Sequence, residues 1–151
     1  MPIGLIAALA MAAAPAPDPR EVAVTEAVQR FFDAMAREDR AALAQVVLPG
    51  TLFTAVELAA DGSPGTSRFS VEDFARNLRP GLDERMWSPR VSVRGDMLAT
   101  LSTPYEFRLD GKTTHCGIDV FTLVKDRGAW KIASLAWTRE PAACDELKAR
   151  R

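Results

Sequence analysis

The chain has little of what metal-binding and many catalytic frameworks require: one histidine, one tyrosine and two cysteines in 151 residues. One histidine and two cysteines as far apart as Cys116 and Cys144 make no zinc-ligand spacing, so no metal is expected. The nine glycines are scattered at turns and form no phosphate-cradling loop, and no cofactor is expected either. Charge of one sign is not in excess. The 19 basic and 20 acidic groups leave a net charge of −1 with no basic stripe, which argues against a nucleic-acid partner. No apolar run reaches the ~20 residues of a membrane-spanning helix, and the length suits one domain with one core.

The longest apolar run, residues 3–16, is rich in alanine and about as long as a signal-peptide core, with an A-x-A pattern at Ala10-Met11-Ala12. No Lys or Arg precedes it, which departs from the usual signal. The expectation is nevertheless an exported protein, periplasmic or secreted, with residues 1–17 as signal peptide and linker. The domain proper then covers residues 18–140, and residues 141–151 form a C-terminal tail. Export would permit a Cys116–Cys144 disulfide, with Pro141 turning the tail back over the sheet edge; the alternative is two unrelated thiols.

Asp18-Pro19-Arg20-Glu21 marks a helix start, and Val24, Val28, Phe31 and Met35 follow at helical spacing. A second helix begins after Asp39 and stops at Pro49-Gly50, a strand alternates through Leu52, Thr54, Val56 and Leu58, and a short partner strand lies near residues 67–70. Ser70 with Asp73 caps a third helix that is expected to run to Pro80-Gly81. Four antiparallel strands follow, at 87–93, 97–108, 113–124 and 130–139, joined by tight turns that include Asp110-Gly111 and Asp126-Arg127-Gly128. The class is α+β, with helices on one face of a curved antiparallel sheet.

Between about Val22 and Arg139 the chain resembles the nuclear transport factor 2-like superfamily, and within it the SnoaL-like and lumazine-binding-like proteins. The resemblance lies in the helix with Phe31-Phe32, the strand Asp110-Gly111 to His115-Cys116-Gly117 and Phe121, and the strand from Gly128-Ala129-Trp130 to Trp137-Thr138-Arg139. It implies a cone-shaped half-barrel around an apolar cavity, commonly dimerised through its sheet. It implies no single function, since such folds host isomerases, dehydratases and cyclases alongside binding and scaffolding domains.

Counting from a two-residue turn at Asp110-Gly111 sets Glu106 against His115 and Ser102 against Asp119, and counting across the next turn sets Asp119 against Leu135. One face then carries Trp87, Ser102, Glu106, His115, Asp119, Phe121 and Trp137, and the other Tyr105, Phe107, Cys116, Trp130 and Ile132. A one-residue slip would invert the shifted strand. The first face reads as a pocket wall, with Trp87, Ser102, Phe121 and Trp137 toward a ligand. His115 oriented by Glu106 is the candidate base, and Asp119 the candidate protonated acid. A structural reading stands beside it, with Glu106 and His115 as a polar pair at a sheet end. A steroid-isomerase site would need a tyrosine beside the acid, and this count puts Tyr105 on the other face. A Cys–His nucleophile is disfavoured because His115 and Cys116 point to opposite sides of one strand. The expectation is a small apolar or amphipathic ligand in the cavity of a homodimer. Its rivals are a cofactor-free isomerase, dehydratase or cyclase, and a dimeric interaction module without ligand.

Overall fold

The computed structural model describes residues 16–59 and 61–150. The signal-peptide expectation falls almost wholly on residues 1–15 and so lies outside the described residues. Helix α1 (Pro19–Ala36) starts where the sequence signals it: the Asp18 side chain accepts from the Arg20 amide, and Pro19 opens the first turn. Its buried stripe, from Val24 through Phe31, Phe32 and Met35, lies on the sheet. Helix α2 (Arg40–Val46) is capped by Asp39, and α3 (Val71–Arg76) by the reciprocal Ser70–Asp73 box. The last of these ends short of Pro80.

The strands are β1 (Leu52–Leu58), β2 (Pro64–Ser70), β3 (Leu82–Met86), β4 (Arg90–Arg94), β5 (Leu98–Leu109), β6 (Lys112–Asp126) and β7 (Ala129–Arg139). They form one curved, unclosed sheet in the order β2-β1-β7-β6-β5-β3, with β4 pairing the other half of β5. The sheet is mixed rather than wholly antiparallel, because β1 runs parallel to β7, with Phe53 beside Leu135 and Glu57 beside Arg139. Strand β3 was not anticipated. Its inward positions are Leu82, Glu84 and Met86, and an acid at the centre of the inward face hides the apolar alternation that marks a strand.

Two bulges move the register away from simple counting. The Asp110-Gly111 turn is as expected, with φ of 50° and 77°, and Leu109 opposes Lys112. Thr114 is then extra, so Phe107 rather than Glu106 opposes His115, and Thr103 rather than Ser102 opposes Asp119. Every inward position on β5 beyond the bulge is therefore inverted. On the other side, Arg127-Gly128 is a two-residue turn and Ala133 is extra, so Asp119 opposes Trp137 instead of Leu135. That displacement is two residues and leaves Asp119, Leu135 and Trp137 on one face. Trp130 and Ile132 lie before the bulge and join the core on that same face.

The segment after Arg139 is not a loose tail. Glu140 bridges to Cys116, and helix α4 (Cys144–Lys148) follows, fastened by the Cys116–Cys144 disulfide with Leu147 buried. Lys148 Nζ meets Glu106 Oε1 at 2.7 Å on this outer side of the sheet.

Candidate functional site

Between the concave face of the sheet and helices α1 and α3 lies a cavity of about 360 Å³. Phe31 and Met35 come from α1, Phe74 from α3, Phe69 from β2, and Leu135 and Trp137 from β7. The aromatic groups brace one another: Trp137 meets Phe69 edge-on at 5.6 Å, and Phe69 stacks on Phe74 at 6.4 Å. Phe31, at the junction, contacts Phe32, Phe53, Phe74 and Phe121. This is an apolar chamber with rigid walls.

Its polar groups are few. Asp119 of β6 is 2% exposed and forms a carboxyl–carboxyl hydrogen bond with Glu84 of β3. The two strands are separated by β5, so it is the curl of the sheet that brings these side chains together. Burial raises both: Glu84, although its bond to Asp119 pulls the other way, is pushed up to about 7, and Asp119, raised further by the Glu84 carboxyl, lies well above the usual carboxylate range. The pair therefore keeps a proton at neutral pH. Apart from the Glu84 carboxyl, no donor among the described residues reaches Asp119 Oδ2. Tyr105 also lines the cavity, and its hydroxyl donates to the Thr138 carbonyl at 2.7 Å. At the wall, Arg139 faces Glu57 at 3.6 Å.

His115 lines the same chamber, stacked on Phe107 with ring centroids 4.9 Å apart and with Nδ1 2.8 Å from Thr114 Oγ1. Burial, with a smaller contribution from Arg139, lowers its pKa to about 4, so the ring is neutral near pH 7. Glu106 does not orient it. The Thr114 bulge sends Glu106 to the opposite face, where Lys148 and Thr113 hold its carboxyl below the usual range. Of the residues expected to face a ligand, Trp137 lines the cavity and Phe121 packs beneath it against Phe31 and Phe32. Ser102 and Trp87 are not on its wall; Ser102 sits on the outward side of β5 opposite Arg90. The structure thus joins His115, Asp119 and Trp137, removes Glu106, and adds Glu84 and Tyr105. No group of three or more His, Cys, Asp or Glu among the described residues is placed to hold a metal ion.

No protein-family model matches the sequence, and no curated protein matches it. Solved structures do. A nuclear transport factor 2-like protein of unknown function from Silicibacter pomeroyi matches with TM-score 0.54 at 24% identity, over 77% of this chain and 92% of that one. A candidate dehydratase of the same family from Streptomyces avermitilis matches with TM-score 0.58 at 17% identity, over 82% and 98%. The chain has the nuclear transport factor 2-like fold. The association domain of C. elegans CaMKII, another structure of similar fold, gives TM-score 0.55 at 13% identity over 76% and 91%.

Within the nuclear transport factor 2-like sheet, one sequence signal bears on the missed Tyr105. Gly117 lies directly across from it, and a glycine at the centre of a long strand marks a close approach. Glu84 had none, because the strand that carries it was not recognised.

Proposed function

We propose that this protein binds a small, largely apolar molecule carrying one polar group in the cavity between sheet and helices. The observation that carries the reading is the chamber itself: aromatic walls around about 360 Å³, with a few convergent polar groups inside, the Glu84–Asp119 carboxyl pair foremost. An internally filled scaffold would have no use for such a space. The test is a ligand-observed NMR survey of small apolar and amphipathic molecules against the protein and against Ala55→Trp, which places a large ring in the chamber. Saturable binding that the substitution abolishes supports the reading, and binding indifferent to it overturns it.

The carboxyl pair favours one further reading, a cofactor-free isomerase, dehydratase or cyclase in which Asp119 and Glu84 move a proton and His115 stays neutral. The similarity to a candidate dehydratase is consistent with that chemistry. Export to the periplasm or outside the cell is part of the proposal, supported by the apolar N-terminal run and the Cys116–Cys144 disulfide. Among the described residues no helix is long and apolar enough to cross a membrane. Homodimerisation through the outer face of the sheet, where Val120 is 45% exposed, completes it. Sedimentation of Val120→Asp beside the unaltered chain tests the dimer.

A further inference from the structure

We infer that the molecule bound in this cavity is a compact organic amine, held as its ammonium form by Glu84 and Asp119 and enclosed by the aromatic rings of Phe69, Phe74, Phe107 and Trp137. The inference rests on the binding reading above and assigns that site its ligand class.

The hydrogen-bond inventory points to a donor. Two carboxyl groups present four oxygens, their mutual bond uses one proton, and apart from the Glu84 carboxyl no donor among the described residues reaches Asp119 Oδ2. Once Glu84 has ionised, whatever completes this pair must bring N–H or O–H groups. A ketone, ester or ether brings only acceptors and could be met only by the doubly protonated pair at lower pH, and a carboxylate adds a third acid to two that already repel each other.

The charge inventory then separates an ammonium from an alcohol. Once Glu84 ionises, the pair carries a negative charge in an apolar chamber, and the groups facing it do not neutralise that charge. His115 on β6 is neutral, and the Tyr105 hydroxyl on β5 is already given to Thr138. Arg139 on β7 is the one cation on the described cavity wall, and it faces Glu57 of β1 at 3.6 Å. The helices contribute only Phe31, Met35 and Phe74. A buried charge without a partner is costly, and a ligand cation with hydrogen-bond donors removes that cost. An alcohol supplies a donor and leaves the charge. Aromatic faces further attract an ammonium through their quadrupoles. A volume of about 360 Å³ sits at the small end of ligand pockets and suits a single bicyclic body rather than a peptide.

The experiment uses the full chain and three probes of matched bulk: 2-naphthylmethylamine, 2-naphthalenemethanol and 2-naphthoate, titrated calorimetrically. The amine is expected to bind about tenfold or more tightly than the alcohol, and the carboxylate most weakly. Amine affinity should rise between about pH 5.5 and about pH 8, with protons released in buffers of different ionisation heat. In the double variant Glu84→Gln, Asp119→Asn, which removes the charge, the preference for amine over alcohol should fall to about twofold while alcohol binding persists, whereas Asp119→Asn alone, which leaves the Glu84 carboxylate, should keep most of it. Alcohol binding as tight as amine in the unaltered protein overturns the amine inference and leaves the cavity reading standing. If none of the three probes binds, the cavity reading falls and takes the inference with it.

Discussion

Tyr105 lies directly across from Gly117, and its ring occupies the space that a side chain at residue 117 would need. A β-carbon there would fall 2.8 Å from Tyr105 Cε1 and 2.0 Å from the Thr138 carbonyl oxygen. That carbonyl accepts from the Tyr105 hydroxyl, and the neighbouring Ile118 amide turns to Thr138 Oγ1 at 3.0 Å. A tyrosine side chain thus replaces part of the ladder between β6 and β7, in the strands that carry His115 and Asp119.

Gly117→Ala should therefore destabilise the fold by about 1–3 kcal/mol, because backbone and a buried ring must both move. Tyr105→Phe, which loses one hydrogen bond to a backbone carbonyl, should cost about 1 kcal/mol. Urea unfolding monitored by tryptophan fluorescence measures both. A Gly117→Ala protein as stable as its parent would mean that the Tyr105 ring is not seated as described.

Stability should fall on both sides of a maximum in mildly acidic solution. Glu84 rises from 4.5 unfolded to about 7 folded, so the folded state holds the extra proton between those values and stability declines as pH climbs through 7. His115 drops from 6.5 to about 4, so the unfolded state holds the extra proton and stability declines as pH falls from 6.5 through 4. A shift of this size corresponds to roughly 3 kcal/mol at its limit. Melting temperatures across pH should show the alkaline decline flattened in Glu84→Gln and the acid decline reduced in His115→Gln. An unchanged alkaline limb in Glu84→Gln contradicts the burial of that carboxyl.

The disulfide joins residues 28 positions apart and fastens α4 to the outer face of the sheet. Its removal in a Cys116→Ser, Cys144→Ser double variant should cost about 3–4 kcal/mol in the chain-entropy account. Leu147 and the Lys148–Glu106 ion pair would still favour docking of α4, but as a local equilibrium. Hydrogen exchange should then be fast at 144–150 and little changed in β5 to β7. Equal protection of α4 with and without the bond would show that packing alone holds it.

The helix starts and hairpin turns were legible because their signals are local: Asp18-Pro19, Asp39, the Ser70–Asp73 box and Asp110-Gly111 each act within a few residues. The site was only half legible because it depends on parity along strands. Thr114 and Ala133 are ordinary strand residues, so nothing in the chain marks them as bulged. The single insertion near the start of β6 inverted β5, exchanging Tyr105 for Glu106 at the cavity, while the two-residue displacement on β7 cancelled for Asp119 and Trp137. Glu84 was out of reach for a different reason. Its partner lies 35 positions along the chain, and only the curl of the sheet joins them.

Trp137, Glu84 and His115 together separate binding from catalysis. Trp137 lines the chamber and touches Phe53 and Phe69, so Trp137→Ala should weaken binding of an apolar probe by about tenfold or more in either case. A base must hold its proton near the working pH, and His115 at about 4 is poorly matched while Glu84 at about 7 is well matched. If the protein is an acid–base enzyme, Glu84→Gln should lower turnover by about 10²-fold or more and erase the rise of rate through pH 7, with substrate binding retained. His115→Gln should then change turnover much less, reversing the order expected if His115 were the base. Should Glu84→Gln alter affinity for an amine but leave no rate to lose on any substrate class, the pair serves recognition alone. Turnover that survives Glu84→Gln and collapses in His115→Gln would instead return the chemistry to the histidine, without Glu106, which faces the other side of the sheet.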